Sequence, residues 1–480
     1  MKIRLIEPEP PGAHVWAKTR IPRLGLPIIA AALTAQGHDV LIYSPPLAPI
    51  DWDDVDSSEL VGLSTTTSTA VAAYEIADRL RARGVPVVIG GSHVTFMADE
   101  ALEHGDYVAR GEGGERLMAE LIEALSGHRE IDSIAGLSFR RDGRVVHNPL
   151  RERCADLDSL PIPALELLVG HDRITNVPIM TSWGCPFGCT FCSVTAMFGR
   201  KYRFRSAENV IAEIKAKRPK KIFFCDDNLA ADAKRLKRLL RLMIAENLVI
   251  PWTAQVRTDV VRDPELLELM RRSGCGIVYL GLESVSQKTL DGFHKSQSVA
   301  DIQRAIRVLH DYGIKSHGMF VLGADTDDVQ TVRDTVSFAI ANHIDTLMPS
   351  ILTPLPGTPL FAELDGTGRI FDKRWQLYDA HHVVYEPALM TPYELQVEVL
   401  RGCLRFYSLR AWLRSVLALR FTRQLLWHWW GRAIIRNWRR DARNRAFLAA
   451  LKRMAPRPAS GETTSLGVAE RPAQAPANLR

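Results

Sequence analysis

The stretch Thr181-Ser-Trp-Gly-Cys-Pro-Phe-Gly-Cys-Thr-Phe-Cys-Ser-Val sets Cys185, Cys189 and Cys192 in a C-x3-C-x2-C array. One loop of this spacing can bring three thiolates to one face of an iron–sulfur cluster while one iron keeps no protein ligand. Four cysteines would close a [4Fe–4S] cluster and suit it to electron transfer, whereas three leave a coordination site for a small molecule. Two plainer readings compete: a zinc knuckle, and three ordinary buried cysteines. Structural zinc needs a fourth ligand, and the next His or Cys after Cys192 is Cys225.

Downstream of this loop, short apolar runs alternate with helical patterns as far as about Pro356. Strands are expected at Val177 to Ser182, Lys221 to Cys225, Trp252 to Val256, Ile277 to Leu280, Ser316 to Leu322 and Asp345 to Leu352. Upstream, the same alternation gives strands at Ile3 to Ile6, Val40 to Tyr43, Leu60 to Ser64, Val85 to Ile89 and Tyr107 to Arg110. Helices are expected between them, such as Leu26 to Gln36 and Ala70 to Arg83. Strict β/α alternation implies parallel sheets covered on both faces, with ligands beyond the C-terminal strand ends. Those ends are rich in small residues upstream: Ser64-Thr-Thr-Thr-Ser-Thr, Gly90-Gly-Ser-His-Val-Thr and Gly111-Glu-Gly-Gly-Glu. Such loops suit a nucleotide-like ligand, and equally suit tight turns and helix caps.

The cysteine loop, with Phe191 before its third cysteine, resembles that of the radical S-adenosylmethionine (SAM) superfamily, whose open iron chelates the amino and carboxylate groups of SAM. The preceding loops, with Pro22-Arg-Leu-Gly-Leu-Pro, resemble those of cobalamin-dependent radical SAM enzymes. The resemblance implies an α/β chain: a doubly wound, Rossmann-like cobalamin-binding domain over residues 1–135, a connection over 136–173, and a partial (β/α)6 TIM-type barrel, the radical SAM core, over 174–365. A helical extension over 366–454 and a disordered tail over 455–480 complete the expectation. The connection includes a hairpin, Leu137 to Val146, turning at Asp142-Gly143.

The cofactors implied are a [4Fe–4S] cluster on the three cysteines, SAM, and cobalamin. For SAM the matching positions are Phe191, Asp226, Asp227, Gln255, Arg257, Gly281, Glu283 and Ser284, with Arg257 suited to a carboxylate. For cobalamin they are Leu24, Gly25, Ser64, Thr65, Thr66, Gly90, Gly91, His93, Gly111, Glu112 and Gly113. The D-x-H-x-x-G element that supplies a histidine to cobalt in other cobalamin enzymes is absent, so no cobalt ligand is named, and His93 suits a capping or structural role as well as a corrin contact. No residue is assigned to acid–base catalysis.

Seven cysteines, three of them in one loop, do not form a disulfide framework and imply a reducing cytoplasm. Between Arg401 and Arg453, 14 Lys or Arg stand against one acid, Asp441; the net charge of +6 is therefore −8 over the first 400 residues and +14 beyond. The same region holds five of the ten tryptophans: Trp412, Trp427, Trp429, Trp430 and Trp438. Its charge-free runs are too short to span a bilayer. A membrane-surface helix fits this composition best, ahead of a packed lid and an RNA-binding surface. The paired His381 and His382 suit a pocket or core role, since no metal partners are spaced for them.

The expected activity is methylation of an unactivated carbon in a small molecule, with an apolar, membrane-associated substrate such as a hopanoid-like terpenoid, at the inner face of the membrane. A flavodoxin or ferredoxin is the expected electron donor. The alternatives are an oxidative cyclase or ring-rearranging enzyme with the same cofactors, and, in a different class, an RNA-directed enzyme or RNA-binding protein. The helical C-terminus and the lack of cysteines before Cys154 count against an RNA-directed methylthiotransferase.

Overall fold

A computed structural model describes residues 1–9, 20–410, 413 and 424–454, with the side chains of 424–428 and 430 left aside. The expected tail over 455–480 and Trp412 lie outside the described residues.

The first sheet comprises β1 (Lys2–Ile6), β2 (Asp39–Tyr43), β3 (Leu60–Thr65), β4 (Val87–Gly91), β5 (Tyr107–Ala109), β6 (Leu137–Arg141) and β7 (Arg144–His147), in the order β2-β1-β3-β4-β5-β6-β7. The first five strands are parallel. Their apolar residues alternate between two cores. Ile3, Leu5, Ile42, Leu60 and Val88 pack on one face, while Ile6, Val61, Leu63, Val87 and Ile89 pack on the other. This period of two is what a sheet covered by helices on both sides requires. The strand order reverses between β1 and β3, so a crevice opens there at the C-terminal ends.

The hairpin expected within the connection is instead the antiparallel edge of this sheet. Phe139 of β6 stands opposite Tyr107 of β5, and the buried Leu137 and Phe139 complete the core beneath. A hairpin with one apolar face cannot stand alone in water, and the short β5 offers the edge. The connection therefore starts after His147. It crosses through three 3-10 turns, Leu157–Ser159, Leu165–Leu167 and His171–Arg173.

The second sheet runs β8 (Val177–Ile179), β11 (Ile222–Phe224), β12 (Trp252–Val256), β13 (Cys275–Glu283), β14 (Lys315–Leu322) and β15 (Thr346–Ile351), all parallel and in chain order. Between β8 and β11 lies a small antiparallel pair, β9 (Ser182–Trp183) with β10 (Arg203–Phe204). The covering helices Ala207–Lys217, Ala233–Ala245, Pro264–Ser273, Val299–Asp311 and Val329–Ala341 each begin after a Ser or Asp whose side chain accepts a first-turn N–H. Each such cap contributes about 1 kcal/mol.

The open barrel leaves β15 as an edge strand, where Pro349, in register with Phe320 of β14, is tolerated because the strand has no neighbour on its other side. Helix Pro392–Phe406 closes that edge. The Tyr407 hydroxyl accepts from Leu347 N at 3.0 Å and donates to Leu347 O at 2.8 Å. A capping box opens this helix, with Thr391 and Glu394 bonded reciprocally. Helices Gln424–Arg440 and Ala442–Arg453 follow.

Candidate active site

The cysteine loop leaves the second sheet at Thr181, and that residue is held from two sides. Buried Asp226, just beyond β11, accepts from Thr181 N at 3.2 Å, from Thr181 Oγ1 at 2.6 Å and from Ser182 Oγ. Arg235 donates to Thr181 O at 3.0 Å and to the Tyr202 hydroxyl at 3.1 Å. Gly184 then turns at φ +85°, where a Cβ would stand 2.8 Å from Lys201 O. The loop closes on itself through Thr195, which donates to Phe187 O at 3.1 Å. Helix Ser193–Phe198 starts directly after Cys192.

All three cysteines are half-buried thiols in this loop. Burial pushes the Cys192 thiol up to about 12 and raises Cys185, with the nearby Arg257 charge acting the other way on Cys185. Among the described residues no three His, Cys, Asp or Glu side chains converge as ligands of a single ion. Three thiolates on a cubane bind three different irons and do not need to converge, so the donor set fits a cluster with one open iron.

Beside the thiols lie the ends of β12 and β13. The Arg257 guanidinium sits 3.7 Å above the Phe187 ring, within the cysteine loop. Its Nη2 donates to Lys295 O, while its buried Nε has no partner. A buried N–H left without an acceptor costs about 1–3 kcal/mol, and this one could take an anion. Glu283, at φ +61° where β13 shifts register, pairs with buried Lys295 at 2.6 Å. Gln297 donates to Gly281 O at 3.2 Å and to Leu282 O at 2.9 Å. A Cβ on Gly281 would come within 2.8 Å of Glu283 Oε1 and 2.9 Å of Lys295 Nζ.

The expected SAM contacts therefore divide. Arg257, Gly281 and Glu283 are brought together with Lys295. Gln255 lies on β12, opposite Tyr279, and Arg257 follows the end of that strand. Phe191 packs edge-on against Phe293, with ring centroids 4.8 Å apart. Asp227 lies near the loop at Gly184, and burial with the adjacent Asp226 pushes it up to about 6. Asp226 has its oxygens engaged by the loop itself and positions the cysteines. Buried Ser284 accepts from Ser286 N at 3.1 Å, within its own turn. Phe187, Lys295 and Gln297 were not expected, because nothing in their local sequence marks them.

In the first domain, Thr65 and Gly91 lie opposite each other at the ends of β3 and β4. Gly91, at φ +113°, leaves no room for a Cβ, which would meet Thr65 O and stand 2.6 Å from Thr65 N. Thr65 Oγ1 donates to Gly90 O at 2.9 Å. Thr66 and Thr69 form a capping box, and Ser64, half-buried, completes that strand end. Leu24 is buried in the core, and exposed Gly25 begins helix Gly25–Ala35.

His93 is fully buried, 3.6 Å from Glu100 and edge-on to Trp375 at 5.0 Å. Trp375 Nε1 also donates to Glu100, so His93 joins the first domain to the segment after the barrel. Glu112, between Gly111 and Gly113, turns away from the other loops to a buried two-pronged pair with Arg203 of β10, at 2.7 and 2.6 Å. Residues of both domains line one cavity of about 200 Å³: Thr66, Thr67, Ser68 and Ser92 from the first, Ser193, Pro356 and Tyr378 from beyond it. The hydroxyls and the bare Gly90–Gly91 backbone fit a large polar-rimmed cofactor. His382, by contrast, is committed to the fold, bonded to Asp379 and Asn444 at 3.0 Å each.

Residues 179–339 match the radical SAM superfamily and residues 15–121 match the B12 binding domain. An uncharacterized methyltransferase of Pyrococcus horikoshii is 31% identical over 85% of this chain and 92% of its own length. The bacteriochlorophyllide d C-12(1)-methyltransferase of Chlorobaculum tepidum is 30% identical over 83% and 88%. The hopanoid C-2 methylase of Rhodopseudomonas palustris is 26% identical over 73% and 65%. Among solved structures, the cobalamin-dependent S-adenosylmethionine radical enzyme OxsB with aqua-cobalamin bound superposes with a TM-score of 0.68, at 16% identity over 94% of this chain and 75% of that one.

Proposed function

The chain belongs to the cobalamin-dependent radical SAM enzymes, and on that footing we propose that it methylates an unactivated carbon of an apolar, polycyclic small molecule. The observation that carries the reading is the cavity shared by Thr66, Ser92 and Ser193, the last being the residue after Cys192. Its lining brings strand-end hydroxyls of the first domain next to the residue that follows the cysteines, which supports two cofactor sites close enough for methyl transfer. A reduced cluster held by the three cysteines would supply reductive cleavage of SAM for hydrogen abstraction from carbon, and cobalamin would supply a methyl group taken from a second SAM.

The chain's own residues do the rest. Cys185, Cys189 and Cys192 hold three irons. Arg257 offers Nε to the SAM carboxylate, and Phe187 holds the guanidinium in place. Asp226 and Arg235 fix the root of the loop. The glycine and hydroxyl loops of β3 and β4 cradle cobalamin, and the two domains together exclude water.

The apolar substrate is supported by the hopanoid and bacteriochlorophyllide relatives and by the C-terminal helices. There Leu409, Leu413 and Trp429 are 60%, 46% and 61% exposed among exposed Arg410, Arg432, Arg436 and Arg440. Aromatic and aliphatic groups amid cations suit an anionic lipid surface. No helix among the described residues is long and apolar enough to cross a membrane. A small acidic electron carrier such as a flavodoxin or ferredoxin completes the system.

The test is anaerobic. The reconstituted protein receives SAM, a reductant and panels of hopanoids and tetrapyrroles, and 5′-deoxyadenosine, S-adenosylhomocysteine and substrate mass are followed together. Both nucleosides with one added methyl mass are expected. Sustained 5′-deoxyadenosine without S-adenosylhomocysteine would favour the oxidative cyclase instead.

A further inference from the structure

We propose that Glu112 and Arg203 couple the two cofactor sites, so that filling the cradle of the first domain alters the affinity of the cysteine loop for SAM. The inference rests on the two sites as read above. Glu112 follows β5 at the rim of the first sheet, and Arg203 lies on β10, opposite Trp183 just before the cysteines. Both side chains are almost fully buried, at 2% and 4% exposure. Arg203 spends its fork on both sides of the junction. It donates to both Glu112 oxygens, to Cys154 O at 2.7 Å and to Phe198 O at 3.1 Å. Phe198 ends the helix that starts after Cys192, and the Arg203 guanidinium also lies 5.9 Å from the centre of the Trp183 ring, so it stands between the entry and the exit of the cysteine loop.

On the other side the contact continues into the cradle. Gly111 N donates to Thr95 Oγ1 at 3.0 Å, and Thr95 Oγ1 donates to Gly91 O at 2.9 Å. Gly91 is the residue packed without clearance against Thr65. An unbroken series of bonds thus runs from Thr65 and Gly91, through Thr95, Gly111 and Glu112, to Arg203 and the cysteine loop. Gly111 and Gly113, at φ +78° and +82°, shape the turn that sends Glu112 outward, and a Cβ on Gly113 would lie 2.7 Å from Arg151 Cδ.

A buried ion pair is a poor way merely to glue two domains, because the desolvation of both charges offsets their attraction and an apolar pair would serve as well. A fixed, two-pronged geometry is what it adds. Coupling between two sites is carried by an element that both ligands bias, and it must be reciprocal. Glu112 and Arg203 are positioning residues in this account, since neither touches the reacting atoms.

The full-length protein carrying its reduced cluster is titrated with SAM, followed by electron paramagnetic resonance, with and without cob(II)alamin. Cob(II)alamin is titrated by absorbance under the same reductant, with and without SAM. In the wild type each ligand should change the affinity of the other by the same factor, about 5-fold or more. In Glu112→Gln that factor should fall towards 1 while cluster absorbance and both single-ligand affinities stay within about 2-fold of the wild type, a margin well inside ordinary coupling. Thr95→Val, which leaves the ion pair intact, should lower the factor as well, and it keeps the test open should Glu112→Gln fold poorly. A wild-type chain that binds both ligands with no mutual effect, or variants that keep the full factor, would overturn the coupling alone. Failure of the wild type to take up cluster or cobalamin would overturn the reading of the sites.

Discussion

His317 lies on β14 inside the second sheet, where burial depresses its imidazole from 6.5 to about 4. Its Nδ1 shares a hydrogen bond of 2.7 Å with Thr346 Oγ1, its ring lies 4.4 Å from that of Tyr279, and its buried Nε2 has no partner. A proton on Nε2 would have nowhere to donate. The folded pKa is below the unfolded one, so the unfolded chain binds a proton first as pH falls. The stabilisation is complete above 6.5 and is lost progressively down to about 4. With 1.36 kcal/mol per unit, this one residue should remove about 2 kcal/mol between pH 7.5 and pH 5. Chemical denaturation of the wild type and His317→Gln at both pH values isolates it, because every other titrating group is common to the two. The variant should be less stable at pH 7.5, from lost packing on Tyr279, yet should lose about 2 kcal/mol less than the wild type on going to pH 5. Equal losses in both proteins would refute the reasoning.

Three further outcomes follow from the site. Replacing Cys185, Cys189 and Cys192 together by Ala should abolish the cluster's visible absorbance and all 5′-deoxyadenosine formation while leaving cobalamin uptake in place; uptake lost with the cluster would contradict separate sites. Gly91→Ala forces a Cβ into Thr65 in a backbone region open essentially to glycine, costing about 1–3 kcal/mol and most of the cobalamin retained after gel filtration; an unaltered melting curve would count against it. Asp226→Ala strips the acceptor from Thr181 and Ser182, which should cost about 1–3 kcal/mol for each buried donor left without a partner, read as a lowered denaturation midpoint and poor cluster retention.

Both sheets were legible because their strands carry two apolar faces or one apolar run, and because Ser or Asp caps punctuate the helices. The cysteine loop was legible because the metal's geometry imposes a spacing along the chain. The hairpin Leu137 to Val146 was legible as a hairpin but not as a sheet edge. Its partner β5 is three residues long, and only the tertiary structure shows that Leu137 and Phe139 have a core to enter. Strand-end acids were harder still. Asp226, Glu112 and Glu283 all stand at or just beyond strand ends, as ligand-binding acids do, but which way each side chain turns depends on its partners in the fold. For Glu112 that partner, Arg203, is 91 residues away, and nothing in the local sequence around Arg203 marks it.

Those acids also explain what is left over for SAM. Three thiolates and an incoming carboxylate concentrate negative charge, so uncompensated acids around the loop would oppose binding. Glu112 is matched by Arg203, and Glu283 by Lys295. Asp226 is surrounded by hydroxyls and Arg235. Asp227 has no cation of its own, and burial raises it towards neutrality. Arg257 is the converse, a buried cation at the loop with no carboxylate within salt-bridge distance among the described residues and with Nε unspent. A charge-assisted bond of the kind it would make contributes about 1.5–3 kcal/mol, which is about 10- to 100-fold in affinity. Arg257→Met keeps an apolar stem on the Phe187 ring and removes the charge. It should weaken SAM binding by that factor, measured on the reduced cluster, with cluster content and cobalamin affinity unchanged. Should the variant bind SAM as tightly as the wild type, the carboxylate must be held elsewhere, and the empty valence of Arg257 would need another anion to explain it.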